Sequence, residues 1–261
     1  MSDFDRNASI RFGGSAARAG SAAVIDQGLR SYMLGVYNNM VLGLAITGLV
    51  ALGLNMLTVA APGQGVAQLG PVALTSLGVA LYASPLKYVI MLAPLAFIFF
   101  FSFRVDRMSA STARTMFLAF SAVMGASLSS ILLFYTKNSV YLAFFETSAA
   151  FGALSLYGYT TKRSLSGMGS FLIMGLFGIV IASVINIFVA SSAFQFGISI
   201  LAILIFAGLT AWDTQQIKEM YDPRDGAEVA TKKSVNGALM LYLDFINIFQ
   251  NLLYLTGNRN N

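Results

Sequence analysis

Three acidic side chains stand where an apolar environment makes them expensive. Of eleven carboxylates, eight fall in polar stretches: Asp3, Asp5, Asp26, Asp106, Glu219, Asp222, Asp225 and Glu228. The other three, Glu146, Asp213 and Asp244, lie within or beside long apolar runs. An ionised carboxylate at mid-bilayer costs about 2.5–3.5 kcal/mol even on lenient insertion scales, so such positions mark candidate functional sites. Around Asp244, Asn247 at i+3 and Asn251 at i+7 share one helix face, with Gly237 a heptad earlier. That polar stripe must face protein or water, which makes its helix a central one. Arg104 closes another apolar run, and Asn38 and Asn186 are further polar positions that can join the same interior.

Composition fixes what can position these groups. The 261 residues are 57% hydrophobic and 10% charged, with a mean hydropathy of +0.72, against roughly 25% charged in soluble domains. A membrane protein follows. Neither cysteine nor histidine occurs, which excludes a zinc site of the usual kind, a disulfide framework, a thiol nucleophile and any Ser-His pair. Proton sensing would fall to carboxylates. The net charge of +5 reads as membrane topology and not as a nucleic-acid surface, and no cofactor motif is present.

Seven apolar stretches approach the ~20 residues needed to cross a bilayer. They are Met33–Leu57, Tyr88–Phe103, Thr115–Tyr135, Val140–Tyr159, Gly169–Val189, Phe196–Trp212 and Asn236–Leu255. The expected fold is an all-α seven-helix membrane domain over 33–257, between a flexible polar tail at 1–32 and a short end at 258–261. No cleavable signal peptide is expected. Pro85 and Pro94 blur the start of the second span, and the Gly/Pro-rich stretch Ala61–Ser84 has room for a short re-entrant or interfacial helix. With the N-terminus cytoplasmic, thirteen of the sixteen Lys and Arg lie inside, leaving Lys87, Lys137 and Arg259 outside; this bias predicts N-terminus in and C-terminus out. Asp213, Asp244 (about 8 residues, ~12 Å, into its span) and Arg104 then share the inner half, and Glu146 the outer half.

Two segments carry a resemblance. Phe206-Ala-Gly-Leu-Thr-Ala-Trp-Asp213-Thr-Gln-Gln-Ile-Lys218 and Leu241-Tyr-Leu-Asp244-Phe-Ile-Asn-Ile-Phe-Gln-Asn251 resemble the last two helices of the Bax inhibitor-1 (transmembrane Bax inhibitor motif) family in its bacterial form. Phe151–Ser166 resembles that family's junction between fourth and fifth helices. The resemblance runs from about residue 30 to the end. It implies seven helices with the last surrounded by the other six, and a pH-sensitive calcium leak channel in the bacterial inner membrane. Asp213 and Asp244 would be its pH sensor and transient calcium ligands, and Arg104 a gate competing for them. A glutamate that members can carry within the second helix is absent; Leu92-Ala-Pro-Leu-Ala96 stands there.

In that picture the two carboxylates share protons as a coupled pair. With carbonyls and water they would offer calcium a weak, leaky station, since the ion prefers six to eight hard oxygens. Glu146, Asn186, Asn247 and Asn251 are possible polar members of the path. The partners expected are lipid, calcium ions and protons. The family also implies an alternative, regulation of a membrane quality-control protease through the tail at 1–32. A proton-coupled transporter would use the same acids. An intramembrane aspartyl protease would need Gly-x-Gly-Asp and Pro-Ala-Leu, and neither occurs, so no enzyme is expected. The small residues Ala149, Ala150, Gly152, Ala153 and Gly158 are read as close helix contacts, and most charges of Lys218–Lys233 as a solvated inner loop.

Overall fold

A computed structural model describes the backbone of residues 3–61, 63–104 and 107–260 and, within these, the side chains from residue 27 onward except that of 102. The chain is all-α apart from one hairpin: α1 Asp3–Thr58, β1 Ala67–Leu69, β2 Val72–Leu74, α2 Ser76–Gly78, a π-helical turn Val79–Ala83, α3 Leu86–Arg104, α4 Ala110–Leu128, α5 Ile131–Phe134, α6 Lys137–Thr160, α7 Ser166–Val189, α8 Ser192–Glu219 and α9 Ala227–Thr256. Among the described residues six helices are long and apolar enough to cross a membrane, and a seventh span arises if Ser76–Ala83 and Leu86–Phe101 count as one. These two pieces meet at 63°, with Ser84-Pro85 at the break, where proline cannot continue the ladder. The tail expected at 1–32 falls largely outside the described side chains. Its last residues belong to α1, however, and Tyr32 is buried against Tyr221, ring centroids 5.6 Å apart.

The segment between the first two spans holds a two-stranded hairpin that the sequence reading did not foresee. Leu69 pairs with Val72 around Gly70-Pro71, and Gly70 sits at φ +60°, which such a two-residue connection requires. Hydroxyl residues start several helices: Ser109, Thr136 and Ser191 accept the backbone N–H three residues on, satisfying donors that helix starts leave orphaned.

The last helix is central, although four of the other six spans and not all of them pack directly on it. Just over half (56%) of the most apolar stretch of α9 is buried, against 6% for α7. Helices α1, α4, α6 and α8 pack directly on α9, whereas α3 packs on α4, and α7 lies along α8. Tyr242 anchors this core: its hydroxyl bonds Thr47 at 2.6 Å, and Phe117 and Phe120 meet its ring edge-on.

One end of the bundle is basic and its lysines are not a solvated loop. Helix α9 begins at Ala227, nine residues before the expected Asn236, because its first turns are charged and do not read as a span. Lys218 donates to Tyr159 O in the last turn of α6 (2.8 Å), Lys232 to Met108 O (2.9 Å), and Lys233 to Met220 O at the end of α8 (2.9 Å) and to Asp225 (2.6 Å). Cations on terminal carbonyls satisfy orphan acceptors and oppose the helix dipole. Lys233→Met is expected to destabilise the protein by about 1.5–3 kcal/mol, the range for a hydrogen bond to a charged group; thermal unfolding in micelles checks this. At the neighbouring exposed turn, hydrogen bonds from Arg224 hold the Asp222 carboxyl well below the usual carboxylate range. Asp222 stays ionised as pH falls through the ordinary Asp range near 3.9, and whatever the pair contributes is lost only below that. A carbon-13 carboxyl titration at low salt should show the depressed midpoint, and high salt should raise it.

The small residues of α6 are corrected in part. Gly158 is a close contact: a Cβ there would overlap the Ala211 carbonyl of α8. Ala149, Ala150, Gly152 and Ala153 are exposed, on a face turned outward.

Candidate functional site: a cavity with one acidic wall

Helix α8 supplies Asp213 through a motif whose neighbours are each tied elsewhere. Thr214 donates to Thr210 O (2.7 Å) and bonds Ser155 of α6 (3.0 Å), which bonds Tyr37 of α1 (2.6 Å). Gln215 accepts from the Leu165 backbone N–H (2.7 Å) and donates to Arg163 O (2.9 Å), clamping the α6–α7 connection. With these two fixing the helix's rotation, Asp213 faces α9. There it meets Asp244, and the two carboxyl groups are hydrogen-bonding neighbours. Both are buried, at 7% and 4% exposure. Asp244 lies 17 residues into α9, which starts nine residues before the apolar run expected from Asn236.

No other donor among the described residues reaches either carboxylate, and Asp244 Oδ2 is buried without a partner. Two carboxylates in contact repel unless a proton or a cation sits between them. Both line a cavity of about 640 Å³ between α7, α8 and α9. Below Asp244, Asn247 and Asn251 line the same cavity. Each donates its amide N–H to the backbone carbonyl four residues earlier, Leu243 O at 2.8 Å and Asn247 O at 2.9 Å, which leaves both Oδ1 atoms as free acceptors. Gln195 lines the far end, holding Asn186 Nδ2 at 2.9 Å. Acidic and amide oxygens therefore run along the α8–α9 wall. The α7 wall is aliphatic apart from Ser183, with Ile179, Val180, Val184 and Ile187.

The other expected site residues stand apart. Arg104 is exposed, its guanidinium 5.3 Å from the Phe100 ring centroid, and it contacts neither aspartate among the described residues. Glu146 is half-buried, without a hydrogen bond or ion pair among the described residues and outside this cavity. Asn186 is a clamp on the α7–α8 turn, its Oδ1 accepting the Ser191 N–H at 3.2 Å where Ala190 is left-handed at φ +51°. Asn186→Ala should cost about 1–2 kcal/mol in thermal unfolding through that lost acceptor. Trp212 and Gln195 line the cavity and were missed; the single tryptophan adjoining Asp213 was the available signal. Among the described residues no group of three acids gathers as a metal site.

Comparison with known proteins gives the chain a family. The family model described as "Inhibitor of apoptosis-promoting Bax1" matches residues 29–261. The chain belongs to this family. Within the Bax inhibitor family it is 42% identical to the uncharacterized protein RP147 of Rickettsia prowazekii over 234 residues, 90% of this chain and 92% of the relative. It is 42% identical to an uncharacterized protein of Caulobacter vibrioides (90% and 92% covered), and 40% identical to the inner membrane protein YbhL of Escherichia coli (89% and 93%). With six to seven candidate spans, this Bax inhibitor family member is a multi-pass inner-membrane protein.

Proposed function

We propose that the protein is a cation leak channel, with calcium as the permeant ion and its rate set by the Asp213–Asp244 pair. The observation that carries this reading is the row of hard oxygens on one cavity wall: two carboxylates in contact, then the Asn247 and Asn251 carbonyl oxygens left free by their amide bonds. Calcium favours such oxygens. A pair short of the six to eight ligands the ion prefers holds it weakly enough to release it, as conduction demands. A proton and a cation compete for the space between the acids, which makes flux pH-dependent. The basic end, tied by Lys218, Lys232 and Lys233, is the cytosolic one on the positive-inside bias.

Arg104 acts as gate in this reading only if α3 swings toward the pair, and the 63° break at Ser84-Pro85 is a joint that permits it. Arg104→Gln should then raise basal leak, and an unchanged basal rate removes it from the gate. The reading needs no enzymatic step and no cofactor. Calcium efflux from proteoliposomes, wild type against Asp213→Asn and Asp244→Asn, tests it.

A further inference from the structure

The cation path leaves half of the cavity unexplained. Ions need only the oxygen-bearing wall, yet about 640 Å³ extends across to α7 and is bordered there by branched aliphatic side chains and Ser183. Small-molecule sites run to ~300–1,000 Å³, mostly apolar with a few convergent polar groups, and this cavity has that character. Three observations set the chemistry of an occupant. Asp244 lines the cavity, and its Oδ2 is buried without a hydrogen-bond partner. Asp213 beside it adds a second carboxylate. Trp212 lines the same space, and an indole face attracts cations, most strongly where water is excluded. Helix α7 lies along α8 and stands off α9, and its Val180, Val184 and Ile187 are half or more exposed, so a bilayer-dissolved molecule can enter beside it.

We infer that this cavity is a binding site for lipophilic primary amines: the ammonium donates to the carboxyl groups of Asp244 and Asp213 beside Trp212, and the apolar body lies against α7. A primary ammonium supplies three donors where the protein leaves an acceptor empty, and its hydrocarbon part covers Val180, Val184 and Ile187. The site stands on the cavity and does not require calcium to be the permeant ion.

The test is equilibrium binding of radiolabelled 1-aminoadamantane to the full chain in nanodiscs, with empty nanodiscs reporting lipid partition. Wild type should bind saturably above that background, and the uncharged isostere 1-adamantanol should not. Asp244→Asn should weaken binding at least about tenfold, as loss of a buried charge partner does. Val184→Trp, which fills the aliphatic half and leaves both acids in place, should do the same. Uptake no greater than in empty discs overturns the proposal; so does adamantanol binding as well as the amine, or Val184→Trp binding like wild type. Should Asp244→Asn fail to fold, the isostere and Val184→Trp still decide. Calcium efflux without amine, recorded on the same preparations, reports separately on the channel reading.

Discussion

Calcium efflux from proteoliposomes is expected to fall about tenfold or more on Asp244→Asn, a change equivalent to at least ~1.4 kcal/mol, and its pH dependence should flatten. Asparagine keeps the shape and one oxygen but removes the charge that attracts a divalent ion and the proton that competes with it. Asp244 is the stronger of the two positions, because its Oδ2 is buried without a partner and because it begins the oxygen row that continues through Asn247 and Asn251. Asp213→Asn should act in the same direction. If both variants conduct at the wild-type rate with the wild-type pH profile, the pair has no part in permeation.

A second large effect is structural. Gly158→Val should lower stability by about 3 kcal/mol, the upper end of over-packing costs, since the atoms it meets are the backbone of Ala211 and cannot turn aside. Pushing α6 from α8 there also displaces Asp213, two residues on, so residual flux should fall further than stability alone explains. Gly152→Ala is the internal control. Nothing lies within 4 Å of a Cβ at Gly152, so helix propensity alone acts, raising stability by up to ~1 kcal/mol. Trp212 is the only tryptophan and packs against Gly169, so its fluorescence follows the α7–α8 contact during unfolding.

These two cases also show what could be read without coordinates. Crossing a bilayer takes about 20 apolar residues, a requirement strong enough to reveal the six long spans and the bent candidate for a seventh, flagged at Pro85. Polar residues inside a span must face inward, so the spacing of Asp244, Asn247 and Asn251 foretold the wall they form. Apolar residues carry no such message, because lipid and protein interior are equally apolar. That is why Gly152 and Gly158, six residues apart on one helix, read alike and face opposite surroundings. The cavity was illegible for a related reason: it exists because α7 stands off α9, a fact of tertiary spacing and not of periodicity. A cation at a helix end specifies an interface and no partner, so Arg104 could be placed in depth but not in contact. The hairpin at Ala67–Leu74 was missed although Gly70-Pro71 announced its turn.

The account rests on Asp213 and Asp244 acting as one unit, and a double-mutant cycle on calcium efflux across pH tests that most directly. If the acids share one proton or one ion, removing the second adds little: Asp213→Asn/Asp244→Asn should conduct within about threefold of the worse single variant and show no pH dependence, a large departure from additivity. Two losses that multiply, about tenfold each to ~100-fold together, would mean independent sites and would contradict the proposed shared gate.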